Sequence, residues 1–386
     1  MNQVKEKIKL LIDASITSVG GGLQVALAFI ENIAKDPEFE VICIVNPQID
    51  QQLSAVTKTK LKHYYVESTV SMPFKFLQGF KISKIEKKHK PDFVFVVFGP
   101  AYWKPRAPTL QGFALGKMLY QKELKVALFE KILNFIKAKL FLMCDSFLVV
   151  ETELVKQKLS FFLNYDPSKI FVIGNSFSPS FLYFLAKANQ IEERESEYFQ
   201  ILVPCSYYPH KNLERLICSL VFFKEKHSEL VSKLKLLFTI PKESAEWLKL
   251  YNLAKNNGVE AYIDSAGFIP NSKFARLYIS SQAVICASLV ESSTAVFPEA
   301  FLSKRPLLVS KRDFATELCG DAALYFDPLD EENIADAIFE IMTNASLRDE
   351  LVKRGIRVLH DNYPSAQEKW IMQKNLLLSL SNREVN

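Results

Sequence analysis

No run of apolar residues in this 386-residue chain approaches the roughly 18 that a helix needs to cross a bilayer. The first apolar stretch, Leu10 to Ile12, is also too short for the core of a signal peptide, so it reads as a buried strand of a cytoplasmic protein. Metal-binding cysteine spacings are missing as well. The six cysteines, Cys43, Cys144, Cys205, Cys218, Cys286 and Cys319, include no C-x-x-C pair, which leaves buried, reduced thiols as their reading. There is no D-x-D carboxylate pair of the kind that holds a divalent metal, no internal repeat and no low-complexity tract.

What is present is an ordinary globular composition, 49% hydrophobic and 24% charged. The length exceeds one ordinary core and predicts two domains. A net charge of +5 gives no reason to expect nucleic acid, but the charge is unevenly placed. Between Ser71 and Leu140 there are fourteen Lys/Arg against four Asp/Glu, a local balance of +10, which leaves −5 for the rest. Such asymmetry points to a partner surface rather than to the fold. Inside this stretch Val126, Phe129, Leu133, Ile136 and Leu140 recur at helical spacing, with Leu124, Leu128, Phe135 and Leu142 as a second row nearly opposite. One row can pack on a sheet. The other, fringed by Lys117, Lys131, Lys137 and Lys139, can meet anionic lipid, which would make the protein peripheral on the inner face of a membrane.

Short apolar runs alternate with helical patterns, the order of an α/β protein with parallel sheets. Strands are predicted at Lys9–Ser15, Glu40–Val45, Phe93–Phe98, Ser146–Val150 and Ile170–Ile173, with a helix at Leu23–Lys35. The rhythm breaks over Ser178 to Gln200, whose end is polar and unpatterned. It restarts with strands at Ile201–Cys205, Lys235–Ile240, Tyr262–Gly267, Ala283–Ala287, Pro306–Ser310 and Ala323–Phe326, and is mostly helical from Glu331. This gives an N-terminal domain over 1–177, a linker over 178–200 and a C-terminal domain over 201–365. A C-terminal helix follows over 366–386, for which a return to the N-terminal domain is one course.

Three segments carry candidate chemistry. Gly20, Gly21 and Gly22 lie between the first strand and the first helix, where glycine lets backbone approach a ligand and a helix start favours anions. A dinucleotide fingerprint would need glycine where Val25 stands, which argues against a nicotinamide cofactor. Lys211 follows the first strand of the second domain and opens a helix, a position that suits a phosphate. The strongest segment is Glu291 to Glu299, after the strand Ala283–Ala287, with Ser292, Ser293 and Thr294 as candidate helix caps. Open α/β sheets bind ligands at that end of their strands. Two carboxylates eight residues apart would lie about 12 Å apart on a continuous helix, a span for two ends of one elongated ligand.

The E-x7-E spacing of Glu291 and Glu299, the lysine motif His210–Lys211–Asn212–Leu213, the turn Ala266–Gly267–Phe268–Ile269–Pro270 and the segment Thr316 to Pro328 together resemble family 4 glycosyltransferases of the GT-B fold. The N-terminal half resembles that family at the glycine turn. At Phe98 to Trp103 it is similar to a branch that works on surface polysaccharide such as O-antigen or capsule. The resemblance implies two Rossmann-like domains whose parallel sheets face a central cleft, and a retaining, metal-independent hexosyl transfer without cofactor. The donor would be a nucleotide-diphosphate sugar and the acceptor a glycan or a lipid-linked glycan. It further implies Glu291 and Lys211 as catalytic. Gly21, Gly22, Lys211, Phe268, Ile269, Ser292, Ser293, Thr294 and Glu299 would bind the donor, with Glu299 on the ribose. Departures from the family are Ser206 in place of a basic residue, Ser-Ser-Thr after Glu291 in place of Gly-Phe-Gly, and Gln111–Gly112 near the usual place of a histidine. A sugar-nucleotide epimerase or hydrolase of the same fold, and a non-catalytic scaffold, are the rival readings.

Overall fold

The structure, a computed structural model, describes residues 6–17, 20–68, 74–143, 145–188 and 197–381. Cys144, the first residues of the basic stretch and 189–196 of the 178–200 stretch lie outside the described residues. The chain forms two units. The N-terminal unit comprises Met1–Gly174 together with Gln367–Asn386, and the C-terminal unit comprises Asn175–Ala366.

The N-terminal unit holds a seven-stranded sheet in the order β3-β2-β1-β4-β5-β6-β7. Its strands are β1 Ile8–Ala14, β2 Phe39–Val45, β3 His63–Val66, β4 Phe93–Val96, β5 Thr109–Gly112, β6 Phe147–Val150 and β7 Ile170–Val172, paired parallel throughout. The C-terminal unit holds a six-stranded sheet in the order β10-β9-β8-β11-β12-β13. Its strands are β8 Phe199–Val203, β9 Leu234–Phe238, β10 Ile263–Ser265, β11 Ala283–Cys286, β12 Leu307–Ser310 and β13 Ala323–Phe326, again all parallel. Parallel strands buried on both faces need continuous apolar runs, which is what Phe93–Val96 and Ala283–Cys286 supply, every residue of both being buried. In both sheets strand order runs outward from the first strand, then reverses and continues on its other side. These are doubly wound, Rossmann-like sheets, each with one topological switch point, at β1/β4 and at β8/β11.

Three strands escape the apolar pattern, of which β10 (Ile-Asp-Ser) is a short edge strand with Asp264 exposed. β3 (His-Tyr-Tyr-Val) is a half-exposed edge strand. β5 (Thr-Leu-Gln-Gly) is wholly buried but carries polar side chains that are satisfied inside. Gln111 accepts from the Ala101 N–H at 2.8 Å and donates to Ser146 Oγ at 2.9 Å. Buried amides survive when so paired.

The stretch read as a linker contains a helix instead, Pro179–Ala188, which packs in the C-terminal unit. Its Phe181 and Leu185 are buried, and the Phe181 ring meets Tyr278 edge-on at 5.4 Å. The last helix, Ala366–Ser381, belongs with the N-terminal core: Trp370, Leu377 and Leu380 are buried there, and Trp370 contacts Phe29 at 5.8 Å. Lys374 adds an ion pair to Asp36 at 2.6 Å.

Candidate active site

In the C-terminal unit the switch point brings together two segments far apart in sequence. β8 and β11 are neighbours at the point where the strand order reverses, the place where open α/β sheets bind ligands. The loop after β8 passes through the turn Pro209–Lys211 and enters the helix Leu213–Lys226. The loop after β11 carries Glu291. The Leu289 N–H donates to the His210 carbonyl at 2.7 Å and ties the two loops. Lys211 Nζ then meets Glu291 Oε1 at 2.5 Å, with only 17% and 10% of the two side chains exposed.

Burial alone would lower the Lys211 pKa. The Glu291 carboxylate beside it reverses that, and the net shift is upward. The site therefore holds a fixed ammonium at neutral pH. Cys205 and Cys286 lie close enough to interact with it, but burial pushes Cys205 up to about 12 and raises Cys286 too. Both stay protonated, so neither serves as a thiolate nucleophile.

Asn212 gives Lys211 its place. Its backbone is left-handed, φ 59°, which Asn tolerates better than most residues. Its buried side chain donates to the Pro328 carbonyl at 2.8 Å, and Arg215 bonds its Oδ1 at 3.4 Å. The lysine motif and the segment ending at Pro328 are thus one hydrogen-bonded assembly.

Glu299 sits in the helix Val296–Leu302 and accepts from Tyr278 Oη at 2.9 Å. Burial raises its pKa to about 7 against the opposing pull of the Tyr278 hydrogen bond. Arg305 bonds the carbonyls of Tyr278 and Ile279 at 3.1 and 2.7 Å and braces that tyrosine from the other end. Asn212 stood in the lysine motif without a role of its own, and Tyr278 and Arg305 carried no signal in the sequence. Each acts through a contact between elements that no local pattern encodes.

The cap reading of Ser292, Ser293 and Thr294 needs correcting. The helix starts at Val296 with Ala295 as its cap residue, and Glu291 lies outside it, so Glu291 and Glu299 do not ride one continuous helix. Thr294 keeps part of the expected role, its Oγ1 accepting from the Val296 N–H at 3.2 Å. Ser292 and Ser293 are half-buried, and Ser293 Oγ is enclosed without a hydrogen-bond partner among the described residues. Displacement by the Ser-Ser-Thr run, with Pro298 inside the helix's first turn, is the physical reason.

Phe268 and Ile269 follow β10, at the same edge of the sheet. Gly267 turns the chain with φ +77°, a conformation that favours glycine, and Phe268 is 80% exposed. Gly21 and Gly22 belong to the N-terminal unit, in the first turn of the helix Gly20–Ile33 after β1. A Cβ on Gly22 would come within 3.2 Å of Thr17 Cγ2 and 3.4 Å of the Phe98 ring, whereas Gly21 faces open space. No group of three or more His, Cys, Asp or Glu among the described residues is arranged to hold a metal ion.

Comparison with known proteins places this geometry in context. Residues 186–358 match the sequence profile of the family described as "Glycosyl transferases group 1". No curated protein matches the sequence. Among solved structures, a glycosyltransferase from Rickettsia africae ESF-5 superposes with TM-score 0.70 at 18% identity, over 98% of this chain and 99% of that one. Anabaena Alr3699/HepE in complex with UDP and glucose superposes with TM-score 0.70 at 14% identity, over 97% and 100%. WaaG, a glycosyltransferase involved in lipopolysaccharide biosynthesis, gives TM-score 0.69 at 13% identity, over 92% and 95%. The fold is GT-B, and within the C-terminal unit residues 186–358 are similar to the glycosyl transferases group 1 family.

Proposed function

We propose that this GT-B chain, similar over residues 186–358 to the group 1 glycosyl transferases, is a retaining glycosyltransferase that moves a sugar from a nucleotide diphosphate to a glycan or lipid-linked acceptor in surface polysaccharide assembly. The observation that carries the proposal is the Lys211–Glu291 pair at the β8/β11 switch point of the C-terminal unit.

Cleaving the glycosidic bond of such a donor leaves a nucleoside diphosphate with growing negative charge. A fixed ammonium in a largely enclosed site stabilises that charge better than bulk water does, because it needs no reorganisation as the bond breaks. Lys211 fills this role. Its present partner, Glu291, shares the ammonium with the arriving phosphate and faces the donor sugar, where a carboxylate stabilises positive charge developing at the anomeric carbon. Glu299, ionised, accepts from the ribose hydroxyls. Phe268 and Ile269 border the base, Thr294 fixes the loop beside the sugar, and Ser292 and Ser293 offer hydroxyls to it. Gly21 and Gly22, in the first turn of the helix after β1, leave backbone open to the approach of an anion. Neither a metal nor a cofactor is required by this scheme.

HepE binds UDP and glucose, which supports a nucleotide-sugar donor here, and the lipopolysaccharide role of WaaG is in keeping with a surface-glycan acceptor. The test is a thermal-shift screen against UDP-, GDP-, dTDP- and ADP-linked sugars, followed by product analysis. A donor at about a hundred times its Kd adds roughly 2.7 kcal/mol of stability. Transfer to an acceptor with retained anomeric configuration is expected. Donor turnover that ignores acceptor would replace this reading with an epimerase or hydrolase, and absence of any donor binding would leave a scaffold.

A further inference from the structure

The N-terminal unit exposes large apolar side chains on two helices. On Leu128–Leu142 the inward face is Asn134, Ala138, Leu140 and Phe141. Leu128, Phe129, Ile132 and Phe135 stand 75%, 69%, 51% and 61% exposed. Neither row expected from the sequence is the buried one. Val126 and Leu140 of the first row go inward while Phe129 goes out, because burial follows Asn134–Ala138–Phe141, a stripe whose polar first member hid it. On the helix Lys75–His89 the inward face is Gln78, Gly79, Ile82 and Glu86. Gly79 lets this helix lie against the backbone of the loop after β4, since a Cβ there would come 2.1 Å from the Tyr102 carbonyl oxygen. That close seat turns Phe76, Leu77 and Phe80 outward, with Phe74 just ahead of them.

We propose that the outward faces of these two helices form one membrane-docking surface, which inserts its aromatic and aliphatic side chains into an anionic bilayer while the surrounding lysines hold the headgroups. Lys75 of one helix is within electrostatic reach of Lys137 of the other; burial first, and that repulsion second, lower the Lys75 pKa. Among the described residues no carboxylate forms an ion pair with Lys75, Lys131, Lys137 or Lys139; Glu130, on the same helix, acts on Lys137 only at longer range. Lys84 lies over the Phe80 ring at 4.7 Å and Lys139 over Phe135 at 5.4 Å. Each is a long stem along an apolar surface with its charge at the rim, the arrangement that lets lysine reach headgroups from an inserted ring. Next to Phe135, a shallow apolar hollow of ≈ 460 Å³ reaches Leu142 and Met143.

The charge selects the occupant. A second copy of this chain would bring the same +10 region face to face with its like, which opposes self-association. Nucleic acid offers phosphate but no apolar phase for Leu128, Phe129 and Phe80. An anionic lipid surface offers both. No helix among the described residues is long and apolar enough to cross a membrane, so such contact is interfacial. The inference leans on the proposed transfer only for its purpose, to bring the enzyme to a lipid-linked acceptor. The docking itself does not depend on that.

The experiment is co-sedimentation of the full chain with vesicles of phosphatidylcholine, with and without about a third phosphatidylglycerol, at low and high salt. Three proteins are compared: wild type, an apolar variant (Leu77→Ser, Phe80→Ser, Leu128→Ser, Phe129→Ser) and a charge variant (Lys131→Glu, Lys139→Glu). All substituted side chains point outward, and a thermal-shift response to the donor nucleotide on each protein checks that the C-terminal unit is intact. Wild type should bind only anionic vesicles, with affinity falling at least tenfold in high salt. The charge variant should lose at least tenfold, and the apolar variant should lose tenfold or more even at low salt. The Leu77→Ser, Phe80→Ser pair alone should weaken binding severalfold. Wild type remaining in the supernatant at low salt overturns the proposal, as does an apolar variant that sediments like wild type. A Leu77/Phe80 pair without effect overturns the two-helix surface in favour of one helix. Docking without any donor binding would sink the transferase reading and leave this one standing.

Discussion

The two units wind their sheets in the same order and put different chemistry at the equivalent point. At β8/β11 the C-terminal unit sets two opposite charges in contact, Lys211 and Glu291, with Asn212 bracing the lysine. At β1/β4 the N-terminal unit has no lysine in that role. It has Asp13, buried and raised in pKa by that burial against the pull of hydrogen bonds from Ser15, the hydroxyl of Thr17 enclosed without a partner among the described residues, and a helix that opens on glycine. Lys226, Lys242 and Lys249 of the C-terminal unit are paired with carboxylates, as are Lys81, Lys169 and Lys374 of the N-terminal unit, whereas Lys75, Lys131, Lys137 and Lys139 of the latter form no ion pair among the described residues. Topology therefore supplies a place where loops part, and the side chains at their tips decide whether that place serves a charged ligand. The group 1 match, confined to residues 186–358, follows the same division.

The sharpest way to break this comparison is to damage one unit and watch the other. Trp370→Ala empties a site in the N-terminal core and should cost about 3–5 kcal/mol there. Chemical denaturation followed by a probe in each unit should show the N-terminal transition shifted and nucleotide binding unchanged. Equal shifts of both transitions would mean that the units are not energetically separate.

Lys211→Ala comes next. Its ammonium matters more as the diphosphate departs than in the intact donor, so turnover at saturating donor should fall about a hundredfold while donor Kd changes much less. Single-turnover kinetics separate the two, and normal turnover would reduce Lys211 to a structural partner of Glu291. Glu299→Gln keeps the shape and removes the charge. On the scale of charge-assisted hydrogen bonds, roughly 1.5–3 kcal/mol, donor affinity should drop about ten- to a hundredfold by calorimetry. An unchanged Kd would take the ribose away from Glu299.

The smallest effect is on pH. Glu299 carries a pKa raised to about 7, so it ionises between about pH 6 and pH 8, and donor affinity should rise about tenfold across that window. The sign for stability is opposite. A carboxyl whose folded pKa lies above its ordinary 4.5 contributes most below that value, and the contribution is lost as pH rises through about 7. Glu299→Gln should flatten both profiles. A wild-type affinity that is level from about pH 6 to pH 8 would show that the donor does not select the ionised form.

Much of this was legible in the sequence. In the C-terminal sheet the central strands announce themselves, because Ala283–Cys286 and Leu307–Ser310 are short, largely apolar runs with every residue buried. β5 does not, because Gln111 is paired with Ala101 and Ser146, contacts that no window of neighbouring residues contains. β3 is an edge strand with little burial to mark it. Lys211 and Glu291 were both singled out, but their contact, across 80 residues, depends on β8 lying beside β11. The helix Pro179–Ala188 is apolar in itself but was not legible as part of the C-terminal unit, because the surface that buries Phe181 belongs to a helix about a hundred residues later. Local pattern shows what will be buried, and strand order decides beside what.

The return of the helix Ala366–Ser381 to the first sheet has a consequence for the order of synthesis. Written along the chain, the C-terminal unit is an insertion within the N-terminal one. A ribosome finishes residues 175–366 as an uninterrupted segment, able to fold as soon as it emerges, while the first sheet waits for Trp370, Leu377 and Leu380. At roughly 5–20 residues per second the wait is on the order of ten to forty seconds. During that time the apolar floor that will receive Trp370 stands open, in the unit made first and completed last.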